Sequence, residues 1–297
     1  PLLCALVRRT GRGRFEWIDS QGIRPAIHWD QDEPWAPLVQ IDLQREVGLR
    51  IHVHESGDQT RMLMPLHHAC CDGLGYMGFI NDLLSTYHET FSPGLTLSRA
   101  LPAPERLRFR GKYGMTPARW LARIPKDLVA SLAAIEYFSH RPVALAPNGA
   151  PTSQGATVPT PLLVWQTLNE AETLGLRQAA RKLGSSVNDL LLTAGFFAVN
   201  QWNERYDPQG SQGVVRIAIP VSLRGPEDEV MPAANVVSML YLDRRPHRYA
   251  SLPSLLRSVR REMGFCKKWR LGLTMIHFIR AFRALPGGLS RMLPEDR

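Results

Sequence analysis

Pro65-Leu66-His67-His68-Ala69-Cys70-Cys71-Asp72-Gly73 decides how the chain is read. It joins an alternating run over 60–66 to a helical run over 74–87, in which Leu74, Met77, Ile80, Leu83, Leu84 and Tyr87 share one face. The two imidazoles therefore fall in a loop at a strand end. A neutral histidine held there can take a proton from a hydroxyl or amine about to attack a carbonyl. Asp72, followed by a glycine that frees the backbone to turn, can orient the loop through an arginine elsewhere.

Working outward, the preceding segment reads as strands at 2–7, 39–43, 49–54 and 60–66, a sheet that ends at the His-His loop. His52 and His54 fall on the polar side of their strand and read as exposed sheet surface. The helix over 74–87 is expected to pack on the sheet and support the loop. Thr116-Pro117 reads as a helix start, and Pro125 as a kink or break in the helix running on to Phe138.

Prolines 142, 147, 151, 159 and 161 with Gly149 and Gly155 mark 141–161 as a linker between an N-terminal subdomain, 1–140, and a C-terminal subdomain, 162–297. Beyond it come a strand over 162–168 and a helix capped by Asn169 and Glu172. A second helix follows, capped at Ser186 with Asp189 three residues on. Strands over 214–221 and 235–243 and helices over 251–268 and 271–285 complete the chain.

Three further stretches keep the histidine loop company. His-His-x-x-x-Asp-Gly, the Asn188-Asp189 pair in Ser186-Val187-Asn188-Asp189-Leu190, Pro220-Val221-Ser222-Leu223-Arg224 and Ala234-Asn235-Val236-Val237-Ser238 follow one another in order. Together they resemble the superfamily of chloramphenicol acetyltransferase and the condensation domains of nonribosomal peptide synthetases, and within it the bacterial wax ester synthase/diacylglycerol acyltransferases most closely. Ala234 departs from the glycine common in that family.

The resemblance implies a two-subdomain α/β fold of the chloramphenicol acetyltransferase type, with mixed sheets and flanking helices around a central cleft. It implies His68 as catalytic base, His67 as a packing and orienting residue, and Arg224 as the salt-bridge partner of Asp72, with a bidentate guanidinium tying the second subdomain to the loop of the first. The backbone N–H of Gly73, and more weakly Ser222, are its candidate oxyanion donors. Asn188 and Asn235 read as structural, suited to capping or holding a loop. The implied reaction is direct acyl transfer from an acyl-coenzyme A or acyl-carrier-protein thioester to a hydroxyl acceptor, with no bound cofactor. An amide-forming, carrier-dependent condensation domain and a non-catalytic binding relative remain as alternatives.

Several other chemistries fit poorly. Gly73-x-Gly75-x-x-Gly78 spells a dinucleotide fingerprint, but six residues separate it from the strand, and the stretch after Thr90, where the second strand should come, is not strand-like. His67, His68, Cys70 and Cys71 lie too close together to close a zinc tetrahedron. Cys70 and Cys71 read as small fillers rather than nucleophiles. No Gly-x-Ser-x-Gly supports a serine hydrolase.

Among 297 residues the formal net charge is +9, and residues 243–297 alone carry thirteen Lys+Arg against four Asp+Glu. That excess suggests an anionic neighbour: a lipid surface met peripherally, a coenzyme A or phosphopantetheine phosphate, or an acidic partner. Arg280 and Arg283 edge the apolar side of the last helix, which can lie on a membrane or pack on protein. Nucleic acid is disfavoured, since no recognition motif accompanies the charge. Four cysteines offer no disulfide framework, so a reducing, cytoplasmic setting is expected. The start at Pro-Leu-Leu-Cys, without Met, suits a fragment.

Overall fold

The structure is a computed structural model and describes residues 2–11, 14–30, 40–91, 101–147, 165–209, 212–228 and 230–284. It is a mixed α/β fold that divides into two compact units, Pro1–Thr116 with Ser222–Val237, and Pro117–Val221 with Ser238–Arg297. The expected linker, 141–161, lies partly outside the described residues.

In the first unit, β1 (Ala5–Gly11) and β2 (Arg14–Asp19) pair antiparallel, with a register shift between Arg9 and Gly11. A separate sheet runs β3–β4–β5. Its central strand β4 (Arg50–Ser56) is parallel to β3 (Ala26–Asp30) and antiparallel to β5 (Gln59–Leu63). Val53 points into the core while His52 stacks on His28 at 4.8 Å between ring centroids. The turn after β4 needs a left-handed residue, and Gly57 supplies it with φ +63.

The run 60–66 leaves the sheet after β5 and touches it once more through a bridge between Leu49 and Leu66. Helix α1 (Gly73–Phe91) follows the loop. Its expected packing face is not buried: Leu74, Met77, Leu84 and Tyr87 are each more than half exposed. The helix is anchored at its N-terminus, where Gly75 is its one buried residue.

Of the strands expected in this region, the one over 2–7 holds only from Ala5 and the one over 39–43 fails. Residues 2–4 form a 3-10 turn before β1. Over 40–43 there is no strand, because the Asp42 side chain accepts from Gln44 N at 3.0 Å and its carbonyl accepts from Arg45 N at 2.9 Å, closing a turn.

In the second unit, α2 (Pro117–Ser139) runs through Pro125 as one continuous helix instead of dividing. Arg123 and Asp127, on either side of the proline, are tied to the turn before α6 and to α6 itself (Leu271–Ala284), which holds that stretch in place. Helices α3 (Glu170–Lys182) and α4 (Val187–Tyr206) open with the capping boxes Asn169/Glu172 and Ser186/Asp189. Of the strand expected over 162–168, residues 162–164 lie outside the described residues and 165–168 are irregular.

Strands β6 (Val215–Ser222) and β7 (Val237–Arg244) pair. With α4 and α5 (Leu252–Trp269) they enclose a core of Leu192, Phe196, Ile219, Leu242, Leu255 and Val259. Asn203, buried on α4, accepts from Ala146 N at 2.9 Å and donates to the Ala144 carbonyl at 3.1 Å, fixing the chain that leads out of α2. Phe278 of α6 is buried and Arg280 lies over the Trp120 ring at 5.8 Å, so this helix packs against protein. Arg283 has no described side chain. No helix among the described residues is long and apolar enough to cross a membrane.

Candidate functional site

The start of the loop between β5 and α1 is pinned by backbone hydrogen bonds. Arg50 N donates to the Pro65 carbonyl at 3.1 Å and His67 N to the Gly48 carbonyl at 2.9 Å, holding the loop beside the start of β4. Cys70 N donates to the His67 carbonyl at 2.9 Å, and Ala69 N to His67 Nδ1 at 3.1 Å. A ring nitrogen that accepts a backbone N–H is committed, so His67 serves the loop's shape. It also borders a cavity of about 480 Å³ with Val7, Phe15, Ile41 and Leu43.

His68 is exposed. Asn235 donates its Nδ2 to the His68 carbonyl at 3.0 Å and brings the same nitrogen to 3.4 Å from ring Nδ1. The first contact is a sound hydrogen bond; the second is too long to fix the ring's tautomer. It does leave Nε2 as the nitrogen that faces away from Asn235. The side chain read as a loop holder thus holds the histidine itself.

Asp72 is 6% exposed and caps α1: Oδ1 accepts from Gly75 N at 2.9 Å and the carbonyl accepts from Tyr76 N at 2.8 Å. Oδ2 accepts from Arg224 Nη1 at 2.7 Å and from Val236 N at 2.8 Å. Burial pushes the Asp72 carboxyl upward, but the Arg224 bond and the two backbone N–H groups outweigh it and hold the carboxyl below its usual range. The aspartate is ionised and structural, and its oxygens are turned to Arg224 and the backbone.

The Arg224 contact is single-pronged rather than bidentate, because Nη2 donates to the Ala234 carbonyl at 2.8 Å. Arg224 and Asn235 both lie in Ser222–Val237, which belongs to the first unit, so the expected bridge from a second subdomain is replaced by one within a single unit. Asp72, Gly73, His67, His68, Arg224 and Asn235 are brought together there. Gly73 is the first residue of α1, where a backbone N–H has no intrahelical partner. Ser222 is exposed and its Oγ accepts from Arg224 N at 3.3 Å. Asn188 sits exposed on the first turn of α4, in the other unit.

Three small residues shape the site, of which the sequence reading noted Gly75 and Ala234 without this role and did not single out Gly48. A Cβ at Gly75 would stand 2.8 Å from the Ala234 carbonyl oxygen, so the glycine lets the 234–236 segment cross α1 closely. A Cβ at Gly48 would overlap the Cys70 sulfur, at 2.1 Å. Ala234 is wholly buried at that crossing. The Gly-x-Gly spacing was visible, but its cause lies 159 residues on from Gly75, in Ala234.

Cys70 and Cys71 are buried, and burial raises each thiol to about 11, which leaves no thiolate for nucleophilic attack at neutral pH. Among the described residues no three His, Cys, Asp or Glu side chains are grouped to hold a metal.

No protein-family model matches the chain. Two uncharacterized proteins of Mycobacterium tuberculosis, one from strain CDC 1551 / Oshkosh and one from ATCC 25618 / H37Rv, are each 24% identical over 263 residues, 85% of this chain and 56% of their own length. The chain spans about half the length of the curated relatives it matches. Among solved structures, SgcC5 from Streptomyces globisporus aligns with a TM-score of 0.63 at 15% identity, over 95% of this chain and 65% of that one. The first condensation domain of the calcium-dependent antibiotic synthetase aligns with 0.62 at 16%, over 91% and 63%. Polyketide synthase associated protein 5 from M. tuberculosis aligns with 0.57 at 15%, over 97% and 68%. The fold is that of the condensation domains.

Proposed function

We propose that this chain carries a condensation-type acyltransferase site, in which His68 is the general base that moves an acyl group from a thioester to a hydroxyl acceptor. The observation that supports this reading is the set of bonds around the loop. Asp72 is spent on capping α1 and pairing with Arg224, Asn235 grips the His68 backbone, and the His68 ring is left exposed. A molecule that fixes a loop so heavily while leaving one imidazole to solvent has a use for that imidazole.

His68 takes the proton of the acceptor hydroxyl as its oxygen bonds to the thioester carbonyl carbon. The carbonyl oxygen becomes an oxyanion, for which the Gly73 N–H is the proposed donor and Ser222 a weaker one. Collapse breaks the C–S bond, and the imidazolium returns the proton to the leaving thiolate. General-base help of this kind is worth about 10²- to 10⁴-fold. The thioester would be an acyl-coenzyme A or a phosphopantetheine thioester on a carrier protein. His67 and Asp72 position the loop.

The order of the Asn188-Asp189, Pro220–Arg224 and Ala234-Asn235 motifs supports the wax ester synthase/diacylglycerol acyltransferase branch and so an alcohol acceptor. The likeness to a condensation domain of an antibiotic synthetase favours a second reading, in which an amine on a carrier protein is acylated. A thiol-release assay separates them. Acyl-coenzyme A donors of several chain lengths are offered with alcohols and with amines, beside an acylated carrier protein. Release from free acyl-coenzyme A that depends on an alcohol supports the first reading; release only from the carrier with an amine supports the second. No release under any pairing counts against both.

A further inference from the structure

We propose that the second unit holds a phosphate-binding cleft on α5, formed by Arg257, Arg260 and Arg261 with the Tyr249–Ser258 hydroxyl pair, whose ligand is a small phosphorylated molecule. The inference does not rest on the acyl-transfer reading.

Residues 257, 260, 261 and 264 follow the i, i+3, i+4, i+7 spacing that puts them on one side of a helix. The other side, with Leu255, Val259, Met263 and Cys266, is buried in the core. The three arginines border a cavity of about 740 Å³, a size that holds a nucleotide-sized ligand. At position 264 a glycine leaves the floor open, since a Cβ there would meet nothing within 4 Å. Tyr249 and Ser258 share a hydrogen bond of 3.1 Å at the wall. Arg257, Arg260 and Arg261 are all exposed, and Arg260 reaches past Gly184, its Nη1 3.1 Å from where a Cβ there would stand.

The arrangement works against the helix that carries it. Like charges three and four residues apart repel, and the first turn of α5 has no acid to meet the positive end of the helix dipole. The single acid of α5, Glu262, is taken by Arg244 at 2.6 Å. None of the three arginines has an ion pair among the described residues. Three arginines bordering one concavity whose lining includes no carboxylate match a tetrahedral anion that accepts several N–H bonds at once. A soluble ligand is favoured over a membrane surface by the concavity that the arginines border; Phe265 and Trp269, exposed farther along α5, are what a membrane contact would use.

The test is calorimetric titration of the 297-residue chain with inorganic pyrophosphate and with adenosine 3′,5′-bisphosphate, with vesicles of phosphatidylserine or phosphatidylcholine as a separate arm. Saturable binding of at least one soluble phosphate is expected, with affinity that falls as salt rises. Arg257→Gln/Arg261→Gln should weaken it about tenfold or more and abolish the ligand-induced rise in Tm. The same double variant should keep or raise the Tm measured without ligand, because it relieves the repulsion. Lys267→Gln/Lys268→Gln on the same helix should leave binding unchanged.

Failure of both phosphates to bind overturns the proposal, as does binding that the arginine variant leaves intact or that the lysine variant weakens equally. Vesicle binding without soluble-phosphate binding overturns it in favour of a membrane contact. If the double variant does not fold, Arg257→Lys keeps the charge but loses the fork; weakened binding then supports the site and unchanged binding contradicts it.

Discussion

Arg224 approaches Asp72 with Nη1 2.7 Å from Oδ2 and, from the same guanidinium, carries Nη2 to the Ala234 carbonyl at 2.8 Å. One side chain therefore fastens the cap of α1 to the segment that bears Asn235. Asp72→Asn removes the charge from a pair whose side chains are 6% and 19% exposed, stranding the guanidinium. The expected loss is about 3–5 kcal/mol of unfolding free energy, read by urea denaturation. Arg224→Lys should lose part of that stability, since one ammonium cannot serve both acceptors in the guanidinium's geometry. A change under about 1 kcal/mol for Asp72→Asn would mean the pair is not holding the loop.

Acid should weaken the protein in two steps. On α6, His277 is half-buried against Trp120 with its Nδ1 on Asp127; desolvation lowers its pKa, more than the neighbouring carboxylate raises it. The unfolded chain then binds the extra proton first, so stability begins to fall as pH drops below the unfolded histidine value of about 6.5. Asp72 and Asp127 are also depressed: burial opposes the shift, and the arginine, hydroxyl and backbone bonds exceed it. Their contribution is complete above about pH 4 and is lost as pH falls through the lower folded values. His277→Gln should flatten the slope between about pH 6.5 and 5 while leaving the lower step. Persistence of the upper slope in that variant would contradict the assignment.

Gly75→Ala places a methyl 2.8 Å from the Ala234 oxygen, a backbone atom with no rotamer to yield. The expected cost is about 1–3 kcal/mol, seen as a lower Tm. Gly78→Ala, with nothing within 4 Å of its Cβ, should be neutral or stabilising on a helix. Equal effects at the two positions would show that the 234–236 segment does not cross α1 there.

Among the four cysteines, Cys4 is exposed while Cys70, Cys71 and Cys266 are buried, with thiols raised to about 11 chiefly by burial. A disulfide reagent at neutral pH should therefore modify one thiol quickly in the native protein and the other three only on unfolding. Fast reaction of Cys70 or Cys71 would reopen the nucleophile reading.

The histidine loop was legible because its chemistry is local: two imidazoles, a strand end before them and a helix after them within a dozen residues. Arg224 was legible through the motif and through the need of a buried acid for a charged partner. Gly48, Gly75 and the grip of Asn235 on His68 were not, since each is defined by backbone that arrives from far along the chain. Strands β2 and β3 escaped because Phe15, Ile27 and Trp29 are largely exposed, so their pattern records no buried face. Over 40–43 an alternating sequence lost to Asp42, whose local hydrogen bonds favour a turn. The helical face of α1 misled in the opposite sense: its spacing is right for a helix, but Leu74, Met77 and Tyr87 are exposed.

The measurement that bears most directly on the account is the rate of thiol release from an acyl thioester by His68→Ala beside the unaltered chain, with matched circular dichroism and Tm. The account predicts a fall of about 10²-fold or more in the variant, with folding unchanged because the His68 ring is exposed. A folded His68→Ala protein that releases thiol at the full rate would contradict it.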